Sequence, residues 1–236
     1  MSAPFAQRTT TLSPEHAAQR IGKVTASRIG DVLASRKDGK PSTARANYAT
    51  ELILERMTGE AAEHYKSRHM LRGIELEPDA CAEYEWQRDC DLAPWPGGFV
   101  DHPTLPMCGA SPDRYVNLTP NVNLAPNAVG LVEAKTCDET ARHIDRLLGA
   151  PFENGYVLQA QWQLECVPQA LWCDLASFDP RFPPGPMRLH VVRIERDEKA
   201  LAELRRAVEV FLGEVETKHR DLLNRYGGNV HPWGGL

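Results

Sequence analysis

Residues 130–136 read GLVEAKT, a short apolar run that carries an acid and a base two positions apart. Side chains alternate between the two faces of a β-strand, so Glu133 and Lys135 point one way while Val132 and Ala134 point the other. The run predicts a strand that aims a carboxylate and an ammonium at one place. Leu131, Val132 and Ala134 make it largely apolar, so both charges are expected to be only partly exposed, which asks for a reason. The plain reason is an ion pair on a strand face, contributing less than ~1 kcal/mol. The other is a reactive site.

On the C-terminal side the pattern predicts two helices, about 138–148 and 153–166, then the strands ALWCDLASF (170–178) and RLHVVRIER (188–196), and a charged helix from about Asp197 to Arg225. On the N-terminal side, NLTPNVNLAPN (117–127) is polar and proline-rich and reads as a loop between two strands. DLAPWPGGFVDHP (91–103) and PMCGASPDRYV (106–116) have the punctuation of a hairpin or meander. Earlier still the chain is helical. Ser13-Pro14-Glu15 starts a short helix to about Arg20, and Thr25 or Ser27 caps a second, in which Ile29, Val32 and Leu33 recur at helical spacing. RKDGKPS (36–42) breaks that helix, TARANYATELILERM (43–57) forms another that stops at Gly59, and Ser67 to Gln87 forms a long one interrupted by Gly73 and Pro78. The predicted fold is α/β: one domain over 1–236, a central mixed β-sheet flanked by helices, a helical N-terminal part, and loose tails at 1–12 and 227–236.

Composition narrows the class. A chain with 42% hydrophobic and 25% charged residues has the make-up of a soluble protein. No apolar run approaches the ~20 residues of a membrane span, and MSAPFAQRTT lacks the apolar block of a secretory signal, so a cytoplasmic protein with no membrane partner is expected. The cysteines, at 81, 90, 108, 137, 166 and 173, form no CxxC pair and are expected to be reduced structural thiols. A net charge of −5 argues against indiscriminate coating of nucleic acid. Locally, Arg20, Lys23, Arg28, Arg36, Lys37, Lys40 and Arg45 face only Asp31 and Asp38 in sequence, which predicts a positive surface over 20–45.

Asp113, after Pro112 in GASPDRYV, completes a pattern of P-D, a spacer and E-x-K with Glu133 and Lys135. If their strands are neighbours, two carboxylates and an ammonium meet at one sheet edge. Hard oxygen ligands there suit Mg²⁺, and a lysine beside them can position water or stabilise charge on a phosphate. Gln159 and Gln163 lie at i and i+4 on a predicted helix with Tyr156 one turn earlier, where spacing alone favours an ordinary amphipathic helix and a polar face lining a metal site is the alternative. Arg20 with Thr25 and Ser27 at a helix start reads either as simple capping or as an anion site. In RGIELEPDA, Glu77 can reach the same centre, and Glu75 competes with it.

Taken in order, RIGKVTAS (20–27), RGIELEP (72–78), GASPDRYV (109–116), LVEAKT (131–136), YVLQAQWQ (156–163), SFDPRF (177–182) and LHVVRIERDEK (189–199) resemble successive segments of the phage lambda exonuclease group, the YqaJ-like viral recombinases. The resemblance spans about residues 18–200. It implies a restriction-endonuclease-like core of the PD-(D/E)xK type and a Mg²⁺-dependent exonuclease, with Mn²⁺ as a substitute. Such an enzyme degrades one strand of linear double-stranded DNA from 5′ to 3′ and leaves a 3′ tail for recombination. By the same resemblance Asp113, Glu133 and the carbonyl of Ala134 hold the metal with Glu77 beside it, Lys135 serves the attacking water, and Gln159 is an active-site glutamine. Arg20, Ser27 and Ser111 match positions that cradle the 5′-phosphate. A homotrimeric ring, a partner that anneals single strands, and a phage or prophage origin in a bacterial host are implied too. The connection between Asp113 and Glu133 is longer here than in the lambda enzyme. Two other readings compete: an iron–sulfur nuclease, which the lack of any cysteine after Cys173 disfavours, and a non-catalytic DNA-end-binding or assembly protein that kept the fold.

Overall fold

The computed structural model describes residues 14–62, 68–118, 127–136 and 140–227. In chain order its elements are α1 (Pro14–Arg20), β1 (Val24–Thr25), a 3-10 turn (Ala26–Arg28), α2 (Ile29–Leu33), α3 (Thr43–Thr58), α4 (Arg68–Arg88), β2 (Leu92–Pro94), β3 (Val100–Asp101), β4 (Cys108–Ala110), β5 (Arg114–Asn117), β6 (Val129–Thr136), α5 (Thr140–Leu147), α6 (Asn154–Cys166), β7 (Ala170–Phe178), β8 (Leu189–Glu195) and α7 (Glu198–Tyr226). The predicted cap Ser13, the helix start Ser67, most of the 117–127 loop and nearly all of both tails lie outside the described residues.

The predicted mixed sheet has the order β2-β5-β6-β7-β8, with β6 parallel to β7 and the other pairs antiparallel. A second sheet has the order β1-β4-β3. The meander expected over 91–116 is thus divided: β2 joins β5 in the large sheet, while β3 and β4 form a hairpin in the small one.

Strand β6 is covered on both sides. Val129 and Leu131 pack in one cluster with Ala160 and Leu164 of α6, whereas Val132 packs in another with Ala80 and Tyr84 of α4. Odd-numbered residues therefore face α6 and even-numbered ones face α4, as strand alternation requires. Helix α6 is itself buried along Gln159–Cys166, with Ala160 and Leu164 against the sheet and Trp162 and Cys166 against the cluster built by α2, α3 and α7. An amphipathic surface helix is not what forms, because both sides are covered by apolar layers.

Two further expectations are corrected. Helix α4 runs unbroken through Gly73 and Pro78, because packing against β6, β7 and β8 outweighs the local cost of one missing N–H. Neither Thr25 nor Ser27 caps α2 through its side chain: Thr25 is an extended residue of β1, and the 3-10 turn separates it from the helix. Helix α3 matches its prediction, with the Ser42 hydroxyl accepting from Arg45 N and Gly59 ending the helix at φ +73°.

Gly130 faces Trp172, and a Cβ there would lie 2.0 Å from the indole Cζ2. Gly130→Ala should lower stability by ~1–3 kcal/mol in urea unfolding. Gly155→Ala, at an open helical position, should be neutral or stabilising by up to ~1 kcal/mol.

Candidate active site

The register of β5 and β6, with Arg114 opposite Val132, brings Asp113 alongside the Glu133–Ala134 peptide. The Ala134 N–H donates to Asp113 Oδ2 at 2.9 Å. Within a strand a residue's N–H and C=O leave on the same edge, so the Ala134 carbonyl also leaves toward Asp113, past the end of β5. Glu133 and Lys135 project toward α6. Glu133 Oε1 accepts from Lys135 Nζ at 2.8 Å and from Gln159 Nε2 at 2.6 Å, and Gln159 Oε1 accepts from Lys135 Nζ at 3.0 Å. Gln163 Nε2 donates to Glu133 Oε2 at 2.5 Å, and the Tyr156 ring lies 4.6 Å from Lys135 Nζ.

The strand is not half-exposed at this point: Glu133 is 4% exposed, because α6 covers its face. The Glu133–Lys135 ion pair does form, but with both side chains mostly buried it is not the solvated pair of the plain reading. From the other face, the α4 stripe of Gly73, Glu77, Ala80 and Tyr84 meets the sheet. A Cβ on Gly73 would lie 3.3 Å from Thr136 Oγ1, which shows how closely α4 approaches β6. Glu77 is buried with Oε1 2.8 Å from Arg114 Nη1, while Glu75 is exposed.

One cavity of about 330 Å³ is lined by all nine residues that the resemblance assigns to the site: Arg20, Ser27, Glu77, Ser111, Asp113, Glu133, Ala134, Lys135 and Gln159. The structure brings together all of them, from α1, the 3-10 turn, α4, the β4–β5 link, β6 and α6. His16, Thr25 and Thr136 line it as well. His16 went unnoticed in the sequence although it stands four residues before Arg20 on one helix. Gln163, which grips Glu133 from behind, was visible only as half of an i,i+4 pair.

Charge is unevenly spread. Burial, then the neighbouring Glu133 and Glu77, pushes the Asp113 carboxyl well above the usual carboxylate range. Burial works against the Lys135 ammonium, but Glu133 and Asp113 outweigh it and hold the amine above the usual lysine range. Lys135 therefore stays a cation and a donor. The positive surface expected over 20–45 is largely neutralised: Lys23 pairs with Asp101, Arg28 with Asp31 and Glu51, Arg36 with Asp38, and Arg45 with Glu214. Lys37 and Lys40 are exposed, and Arg20 lines the cavity with no hydrogen bond or ion pair to its guanidinium among the described residues. Burial draws its guanidinium below the usual arginine range, against Tyr48, Glu133, Glu55 and Asp113.

The donor set suits a hard divalent cation. Three carboxylates, of Asp113, Glu133 and Glu77, line one cavity together with Ala134, and Asp113 is lifted first by burial and then by the two other acids. Among the described residues no three acidic, histidine or cysteine groups are already drawn together at metal-binding spacing. The reason is visible: Arg114 holds Glu77, while Lys135, Gln159 and Gln163 hold Glu133.

An acid with a raised native pKa costs stability as pH climbs through its unfolded value of ~3.9 toward its native one, because the unfolded chain sheds the proton first. In metal-free protein Asp113→Asn should therefore melt higher than wild type near pH 8, by about 2–4 °C for each kcal/mol relieved. Below about pH 4 the difference should vanish. Equal melting at both pH values contradicts the raised Asp113 carboxyl.

Comparison with known proteins supplies the family. The profile of the YqaJ-like viral recombinase domain matches residues 15–168, more than half of the chain. The crystal structure of an alkaline exonuclease (LHK-Exo) from Laribacter hongkongensis is similar at 37% identity and a TM-score of 0.76, over 91% of this chain and 98% of that one. Its complex with dAMP is similar at 36% identity and a TM-score of 0.77, with the same coverage. A phage-related exonuclease from Haemophilus somnus 129PT shares the fold at 16% identity and a TM-score of 0.63, over 85% and 96% of the two chains. Among curated proteins none matches. The chain belongs to the YqaJ-like viral recombinase family and is a nuclease of the exonuclease kind.

Proposed function

We propose that this protein is a Mg²⁺-dependent 5′→3′ exonuclease that removes one strand of linear double-stranded DNA and leaves a 3′ single-stranded tail for recombination. The observation that carries the reading is the single cavity into which Asp113, Glu133, Glu77, Lys135 and Arg20 all open. A structural ion pair explains Glu133 and Lys135 alone, but not three carboxylates and a half-buried arginine around one space. The family's exonuclease members support the activity.

Asp113, Glu133 and the Ala134 carbonyl would hold the divalent ion, and Glu77 would lie beside them. The ion, when bound, supplies the positive charge that makes water nucleophilic near neutral pH and offsets charge on the phosphate. Lys135 keeps its proton and donates to the attacking oxygen or to the phosphate, where charge builds up. Gln159 fixes Lys135 through its carbonyl oxygen and Glu133 through its amide, so acid and base keep their separation. In the same cavity Arg20, Ser27 and Ser111 bind the 5′-phosphate of the strand being trimmed, and their donors match an acceptor-only dianion. A homotrimeric ring, delivery of the tail to a single-strand-annealing recombinase, and action in the cytoplasm of a phage- or prophage-bearing bacterium complete the proposal. Among the described residues no helix is long and apolar enough to cross a membrane.

The competing reading, an end-binding protein without catalysis, is separated by one assay. Wild type with Mg²⁺ and a 5′-phosphorylated linear duplex should release nucleotides from the 5′ strand, and Asp113→Ala should lose at least about a hundredfold in rate. Equal rates for the two proteins contradict the assignment. Arg20→Ala should slow phosphorylated ends more than hydroxyl ends, by about tenfold in the ratio of rates, since a hydrogen bond to a charged group contributes ~1.5–3 kcal/mol. Equal slowing contradicts the phosphate pocket.

A further inference from the structure

His16 stands beside the proposed phosphate pocket. It lies four residues before Arg20 on α1, so the two side chains leave the same face of the helix. The imidazole is buried, lines the cavity, and has Nε2 2.9 Å from Ser111 Oγ. Its ring is fixed from another side by Gly98, in the link between β2 and β3. A Cβ on Gly98 would lie 2.9 Å from ring Cδ2, and φ there is +73°. A buried ring is thus wedged between a glycine turn and a serine hydroxyl.

The hydroxyl of Ser111 carries one proton, and phosphate oxygens accept but do not donate. If Ser111 gives its proton to His16, its lone pairs face the phosphate and repel it. If His16 carries its proton on Nε2 and donates to Ser111 Oγ, the serine O–H is released into the cavity, next to Arg20 and Ser27. We infer that His16 is a positioning residue that turns the Ser111 hydroxyl into a donor for the terminal phosphomonoester, and so sets the enzyme's preference for phosphorylated 5′ ends. This rests on the reading of Arg20, Ser27 and Ser111 as the phosphate pocket.

The test compares digestion of 5′-phosphorylated and 5′-hydroxyl linear duplexes by wild type, Arg20→Ala, Ser111→Ala, His16→Phe, His16→Gln and the double variant His16→Phe/Ser111→Ala. Phenylalanine keeps a ring against Gly98 but has no N–H, whereas the glutamine amide can place an N–H near the position of Nε2. His16→Phe should lower the phosphate-to-hydroxyl rate ratio about tenfold, the scale of one hydrogen bond to a charged group. His16→Gln should stay within about threefold of wild type, and the double variant should fall no lower than Ser111→Ala, because the two residues act as one unit. A wild-type ratio in His16→Phe overturns the inference, as does a double variant in which the two losses multiply. Should His16→Phe not fold, His16→Asn, too short to reach Ser111, takes its place with the same outcomes. A wild type indifferent to end phosphorylation overturns the pocket reading and this inference with it. A wild type and Arg20→Ala that differ, beside an unchanged His16→Phe, overturn only the role of His16.

Discussion

The site depends on the burial of Glu133 between β6 and α6. A carboxylate removed from water has to be satisfied by neighbours, and here both oxygens are taken, one by Lys135 and Gln159 and the other by Gln163. Helix α6 pays for this with an unusual composition: polar glutamines in a segment buried on both sides, one of them fully buried. Losing Gln163 leaves a buried anion short of a donor, while losing Glu133 strands two amides and an ammonium. The acid, the base and the helix are therefore one unit, and the rest of the sheet exists around a strand that must hold it in register.

The neighbouring elements follow from that constraint. Antiparallel pairing of β5 with β6 puts Asp113 against the Ala134 N–H, and the close approach of α4 at Gly73 brings Glu77 to the same space from the opposite face. The N-terminal segment is held down separately. Gly22 donates its N–H to Glu55 at 2.7 Å and accepts from Arg56 Nε at 2.9 Å, so α3 grips the turn that follows Arg20. Arg20 thereby lines the cavity with no acid paired to its guanidinium among the described residues, which leaves its charge and its donors to face the cavity.

Much of this was legible in the sequence for physical reasons that can be named. Period-two alternation places Glu133 and Lys135 together in any strand, and turn chemistry bounds the long helices and strands to within a few residues. What composition cannot reveal is which surface covers a strand. The glutamines of α6 looked like the polar side of an amphipathic helix because nothing local says that a second apolar layer lies over them. The unbroken α4 escaped notice for the same reason, since packing against three strands outweighs what Gly73 and Pro78 prefer in isolation. The basic stretch at 20–45 misled in the opposite sense, because its partners Glu51, Asp101 and Glu214 are distant in sequence. The gathering of the site residues in one family-like order was visible only through resemblance; their convergence on one cavity is a property of the fold.

The central claim is that these carboxylates are arranged to receive a divalent cation. Crystals grown with Mn²⁺, measured at an energy where manganese scatters anomalously, test it most directly. The account predicts an anomalous peak within coordination distance, about 2.0–2.4 Å, of carboxylate oxygens of both Asp113 and Glu133, with the Glu77–Arg114 contact loosened. No peak in the cavity, or one held by other residues while Asp113 and Glu133 keep their present contacts, contradicts it.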